Sequence, residues 1–300
     1  MDYQESFISY LRYERRNSSH TVIAYKKDLD QFVTFCTEMA GEFDIKGVDG
    51  KLVRSWIVSL MEGGYTPQSV NRKVSTIKAF FRFIMKYYAD EGVESNPAVN
   101  IPLPRIRKRL PGFVEENSLH HLFDDGFFSD DFEGKRDKLI LNLLYGTGIR
   151  LAELLNLKDK DFNTAEFLIK VLGKRNKERI IPYPRSIHPV LEQYLEVRDR
   201  EIVPMEESKG VLLVTGKGVP VYEKLIYRVV RLYLGKVTML EKKSPHILRH
   251  TYATHLLNKG ADLNAVKELL GHANLSATQI YTHTTFEKLH HIYKQAHPRG

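Results

Sequence analysis

Apolar side chains recur at three- and four-residue spacing through the first 95 positions, the period of helices with one buried face. Tyr3, Phe7, Ile8, Tyr10 and Leu11 open one such stretch, which ends near Asn17. Ser18 and Ser19 are N-cap residues for a second, where Val22, Tyr25, Leu29, Phe32, Val33 and Phe35 keep the period. Val48 to Met61 predicts a third helix, stopped by Gly63-Gly64. Thr66-Pro67 starts a fourth, with a capping hydroxyl followed by a first-turn proline. Its apolar stripe is Val70, Val74, Ile77, Phe80, Phe81 and Ile84, which reads as core. The opposite side carries Asn71, Arg72, Lys73, Ser75 and Lys78. Arg72 and Lys73 are there candidate phosphate contacts on a solvated face.

The texture changes at residues 96–111. Pro97, Pro102, Pro104 and Pro111 forbid a regular helix and hold their predecessors extended, so this stretch reads as an interdomain linker. It carries Arg105, Arg107, Lys108 and Arg109, which suit a run along a phosphate backbone. Beyond it, residues 112–300 mix both periods. Helices are expected over Asp137–Tyr145 and from Leu151 to Leu155. Phe167–Leu172 and Arg179–Tyr183 read as two strands of a hairpin with the basic tip Gly173-Lys-Arg-Asn-Lys-Glu178. Val211-Leu-Leu-Val214 is a candidate third strand, and helices follow to the end. The expected fold is mainly α with a small antiparallel sheet: an all-α domain over 1–95, a basic proline-rich linker over 96–111, and a mixed α/β domain over 112–300.

Composition narrows the classes. At 300 residues, 42% hydrophobic and 27% charged, the chain has the make-up of a globular protein. It lacks a run of about 18 apolar residues, and Met1-Asp-Tyr-Gln-Glu-Ser6 has neither the basic nor the apolar part of a signal peptide. The single cysteine, Cys36, leaves no intramolecular disulfide, and a cytoplasmic location is the expectation. A net charge of +8 favours a polyanionic partner.

The chemistry lies in residues far apart in sequence. Arg150 follows the Gly146-Thr-Gly148 turn. His246 and Arg249 stand one turn apart on a helix begun by Ser244-Pro245, and His272 and Tyr281 follow. The planar, permanently charged fork of arginine matches phosphate oxygens, and two forks can neutralise a pentacoordinate phosphorane. Histidines donate to the same oxygens or shuttle a proton. A phenol is a poor nucleophile at its free pKa of about 10 and needs such cationic surroundings. His250 and His255 lack a Cys, Asp or Glu companion at ligand spacing, so no metal site is expected. Glycine-rich nucleotide loops are absent from the sequence as well, and no cofactor is expected.

Gly146-x-Gly-x-Arg150-x-x-Glu153-Leu, His246-x-x-Arg249-His250-x-x-Ala253-Thr-His255 and Leu270-Gly271-His272-x(5)-Thr278-x-x-Tyr281-x-His283, in this order, closely resemble the motifs of the tyrosine recombinase (lambda integrase-like) family. Length and the terminal His297-Pro298-Arg299 look most like its bacterial Xer branch, which resolves chromosome dimers. The resemblance implies a SAM-like core-binding domain and a catalytic domain that form a C-shaped clamp on DNA. It also implies a 3′-phosphotyrosyl intermediate on Tyr281 and catalytic roles for Arg150, Arg249, His246 and His272. The hairpin lysine would be the general acid; Lys174 matches, with Arg175 where many Xer proteins have glycine and Lys177 as the alternative. Implied partners are a double-stranded recombination site, a homo- or hetero-tetramer with another recombinase, and a DNA translocase of the FtsK type. A mobile-element integrase or invertase would use the same residues. A non-catalytic DNA-binding protein would need only the charge. Phe286, Leu289, Ile292 and Tyr293 form a small apolar stripe, which the resemblance reads as a tail passed to a neighbouring subunit.

Overall fold

The computed structural model describes residues 2–106, 112–124, 126–173 and 178–271. The chain divides into two compact units, Met1–Arg109 and Leu110–Gly300. In the first, α1 (Tyr3–Ser9) runs into a π-helical turn over Tyr10–Glu14, followed by α2 (Ser19–Ala40), α3 (Gly50–Glu62) and α4 (Pro67–Tyr87). The starts are set by short polar side chains: the Ser18 hydroxyl accepts from the Thr21 N–H at 3.3 Å, Asp49 from Leu52 at 2.8 Å, and Thr66 from Ser69 at 3.3 Å. The stripe expected on α4 is fully buried, and each of those large side chains contributes roughly 1.5–3 kcal/mol over exposure. Phe7 and Phe80 meet edge to face across this core, as do Phe32 and Trp56.

The proline-rich run does not leave this unit at once. Ala98 and Ile101 are buried in its core. Asn96 Nδ2 donates to the Lys78 carbonyl at 2.8 Å, and Asn71 Nδ2 to the Pro104 carbonyl at 3.2 Å. Two apolar side chains and two amides therefore dock the stretch along α4, and Arg105 is its first exposed cation. Arg107, Lys108 and Arg109 lie outside the described residues.

The second unit is built around α6 (Phe132–Thr147), buried on nearly all sides and packed against α8 (His188–Glu201) and α10 (Pro245–Asn258). A helix buried all round shows little amphipathic pattern, which is why only its middle was readable in the sequence. Around it stand α5 (Glu116–Leu122), α7 (Leu151–Leu155), α9 (Glu223–Val237) and α11 (Leu263–Leu269). The sheet is antiparallel in the order β1-β2-β3, with β1 Phe162–Asn163, β2 Leu168–Leu172 and β3 Glu178–Pro182; Ile169 pairs with Ile181 and Leu172 with Glu178. The third strand is thus β1, not Val211–Val214. That stretch forms only isolated bridges, Lys158 to Val211 and Val214 to Pro220. Its backbone groups are satisfied without a ladder: the Leu212 carbonyl accepts from the Tyr194 hydroxyl at 3.0 Å and from Arg198 Nη1 at 3.0 Å, and the Val214 N–H donates to the same hydroxyl at 3.1 Å. Among the described residues, no helix is long and apolar enough to cross a membrane.

Candidate functional site

One turn, two helices and one strand deliver the charged residues. The helix end at Thr147 turns through Gly148 at φ +60°, where a Cβ would stand 2.5 Å from the Tyr252 ring. That tight turn brings Arg150 to the N-terminal flank of α7. There its N–H donates to Glu153 Oε2 at 2.9 Å and its Nη1 to Oε1 at 3.0 Å. Arg179 reaches the same carboxylate from β3, with Nη1 to Oε1 at 2.6 Å and Nη2 to Oε2 at 2.9 Å. Glu153 is 3% exposed and Arg179 8%.

Arg249 enters from α10. Its Nη1 donates to the Gly148 carbonyl and its Nη2 to the Leu270 carbonyl at 2.5 Å. Arg150 Nη2 reaches the next carbonyl, that of Gly271, at 2.6 Å. The two arginines, 99 positions apart in sequence, thus converge on one turn. Gly271 makes that turn at φ +63°; a Cβ there would lie 2.6 Å from Arg179 Nη1. His272 follows it directly in the chain. Burial draws the Arg249 guanidinium down to about 10, helped by the charges of Arg150 and Arg179 and opposed by Glu153. It stays protonated at neutral pH. Three guanidinium groups against one carboxylate leave two positive charges in excess, and the Arg150 side chain, 38% exposed, opens that excess to solvent. Such a centre suits a tetrahedral anion.

His246 is exposed on α10, one turn before Arg249. Ser244 flanks that helix in extended conformation but makes no side-chain capping bond, so Pro245 alone sets the first turn. His255 is a core residue: its Nδ1 lies 3.0 Å from the Tyr145 hydroxyl, Phe113 packs against it edge-on, and burial lowers its pKa. Lys174, Lys177, His272 and Tyr281 lie outside the described residues, as does the stripe Phe286, Leu289, Ile292 and Tyr293. Among the described residues no group of His, Cys, Asp or Glu could hold a metal ion.

Lys73 differs from the expectation of a solvated basic face, whereas the Arg72 side chain remains 53% exposed. Asp28, 1% exposed, accepts from Nη1 and Nη2 of Arg72, from Lys73 Nζ at 2.9 Å and from the Thr76 hydroxyl at 3.1 Å. Lys73 is itself 6% exposed and also donates to Gln31 at 2.6 Å. A buried aspartate on α2 has drawn Lys73 inward, while Arg72 reaches it from the exposed side. Glu153 was visible only as part of a motif, and Arg179 was missed. The signal for Arg179 was strand alternation, which puts it on the inward face with Ile181. A second feature also escaped the sequence reading. The outer face of α9 carries Tyr227, Arg228 and Arg231 beside Glu241 and Lys243, around an open groove of about 800 Å³ with three cations to one carboxylate.

A model of the phage integrase family matches residues 115–288, and one of the phage integrase N-terminal SAM-like domain matches residues 5–87. The tyrosine recombinase XerC of Chlorobaculum tepidum is 38% identical over 318 aligned positions, covering 98% of this chain and 94% of its own length. That of Staphylococcus carnosus is 39% identical over 298 positions, covering 99% and 97%. Among solved structures, the Tn1549 transposon integrase in complex with circular intermediate DNA is 19% identical with a TM-score of 0.72, covering 96% of this chain and 98% of that one. The XerH site-specific recombinase bound to its difH substrate is 23% identical with a TM-score of 0.68, covering 96% and 82%. These two share the fold.

Proposed function

The chain belongs to the phage integrase family of tyrosine recombinases, and on that premise we propose that it resolves chromosome dimers at cell division. It is a site-specific recombinase, an enzyme that cuts and rejoins DNA strands. The likeness to XerC proteins over nearly the whole chain supports the chromosomal role. One observation carries the site: Arg150 and Arg249 meet at the carbonyls of Leu270 and Gly271, the first two residues of the motif that holds His272 and Tyr281.

In this reading Tyr281 attacks the scissile phosphate in line, forming a 3′-phosphotyrosyl bond and freeing a 5′-hydroxyl. Arg150 and Arg249 neutralise the non-bridging oxygens as charge builds in the phosphorane, and His272 donates a further hydrogen bond. His246 accepts the phenolic proton or hydrogen-bonds to the reacting oxygens. Lys174, with Lys177 as the alternative, protonates the leaving 5′-oxygen. The covalent bond conserves the phosphodiester energy, so the 5′-hydroxyl of a partner strand reverses the step. Two duplexes and four sites require a tetramer, of this chain alone or with a second recombinase. Activation by a DNA translocase of the FtsK type and a cytoplasmic location belong to the same reading. Two compact units provide the parts: Met1–Arg109 as core-binding domain and Leu110–Gly300 as catalytic domain, with Arg105, Arg107, Lys108 and Arg109 on the DNA backbone. Arg228, Arg231 and Lys243 add a second cationic surface for the duplex.

The test is a nicked duplex carrying a near-palindromic site from the source chromosome. The wild-type chain should give a denaturant-stable protein–DNA adduct and join its strand to a second duplex. Tyr281→Phe should bind the duplex normally and give no adduct; an adduct in that variant would move the nucleophile elsewhere.

A further inference from the structure

We propose that Arg179 is a positioning residue for strand cleavage: it occupies the Glu153 carboxylate so that Arg150 presents its charge to the scissile phosphate. The inference rests on the recombinase reading of this site and deepens it. Arg179 holds both Glu153 oxygens, at 2.6 and 2.9 Å, from the inward face of β3. Arg150 shares only Oε1 through its side chain, at 3.0 Å, and binds Oε2 through its backbone N–H at 2.9 Å. The planar fork of Arg179 thereby takes the shorter bond at Oε1 and a second at Oε2, and it neutralises the carboxylate inside the fold. Arg150 keeps the longer bond, which orients its guanidinium without consuming its charge. Its other terminal nitrogen is already fixed on the Gly271 carbonyl at 2.6 Å.

Charge counting gives the same answer. With Arg179 in place, the cluster of Arg150, Arg179, Arg249 and Glu153 carries two positive charges in excess. Without it, Glu153 would turn wholly to Arg150, and the excess would fall to one. Arg179 also lies against the turn itself: its guanidinium occupies the space beside Gly271 that any side chain there would need. One residue on β3 thus fixes the acceptor of Arg150 and lies beside the turn on which both phosphate-binding arginines converge.

The measurement is single-turnover adduct formation by the full chain on a nicked duplex. It is made on an ordinary scissile phosphodiester and on a methylphosphonate, which lacks one non-bridging charge. Arg179→Leu should slow the phosphodiester on the order of 10²-fold and leave duplex affinity nearly unchanged. On the methylphosphonate the slowing should shrink to within about tenfold, because there is less charge for Arg150 to meet. Arg179→Lys keeps a buried cation but loses the fork; it should show the same contrast at smaller size, and it carries the test if Arg179→Leu does not fold. Equal slowing on both substrates would reduce Arg179 to a structural residue and overturn the proposal, as would an unslowed phosphodiester. A wild-type chain that forms no adduct would instead remove the recombinase reading on which the proposal stands.

Discussion

Asp28 in the first unit and Glu153 in the second are both buried carboxylates that hold two cations. Asp28 binds Arg72 and Lys73, neighbours on α4, together with Thr76 one turn on. Every donor comes from a single helix, so the cluster clasps α2 to α4, and Lys73 is sealed from solvent. Glu153 binds Arg150 from its own turn and Arg179 from a strand, and a third arginine stands beside them bonded only to carbonyls among its described contacts. Saturated by adjacent side chains, a buried carboxylate is a fastener. Outnumbered by guanidinium groups from distant segments, it becomes a frame for an anion.

The sharpest way to break this contrast is to remove one cation from the second cluster. Arg249→Ala should slow single-turnover cleavage on the order of 10³-fold or more, whereas Asp28→Asn should change the cleavage step only a few-fold. Comparable losses in the two variants would mean that the first cluster also serves the chemistry.

Stability should respond the other way. Asp28→Ala leaves the buried Lys73 ammonium without its carboxylate, and the first unit should lose about 3 kcal/mol in denaturant unfolding. A near-neutral result would show that the clasp is not what joins α2 to α4.

A smaller effect concerns pH and the fastening of the second unit. Burial lowers the His255 pKa in the folded chain, so as pH falls the unfolded chain takes up this proton first. The stability gained by keeping the ring neutral is whole above the ordinary imidazole value of about 6.5 and is lost as pH falls through it toward the folded value. The urea midpoint of the second unit should therefore drop between pH 7.5 and 5.5, and His255→Gln should flatten that dependence. An identical slope in both proteins would assign the acid sensitivity to other groups.

The smallest effect tests the fastener directly. Lys73→Met should leave the slope of log affinity against log salt unchanged within about 0.3 unit, well under the roughly 0.9 of one phosphate contact, because a buried ammonium displaces no counterion from DNA. Neutralising Arg105, Arg107, Lys108 and Arg109 together should make the slope shallower by roughly two to four units. A shift on Lys73→Met as large as one full phosphate contact would put that side chain back on the duplex.

The sequence by itself determined the helices of the first unit, the hairpin pairing and the order of the motif residues. Helix caps, apolar period and turn glycines act over a few residues, and such signals are written locally: Ser18, Thr66-Pro67 and Gly148 each mark an end where the chain turns. The full reach of α6 was hidden because burial on all sides erases the period. Val211–Val214 looked like a strand because an apolar run does not say whether its backbone partners are another strand or the side chains of Tyr194 and Arg198. What only the tertiary structure decided was the fate of each charge. Lys73 and Arg179 are two cations in amphipathic segments, and nothing within a few residues of them distinguishes a solvated face from a buried ion pair. Asp28 lies 44 positions before Arg72, and Glu153 lies 26 before Arg179. Pairing across such gaps depends on how α4 meets α2 and how β3 meets α7, because a charge leaves water only where the fold brings an opposite charge to it.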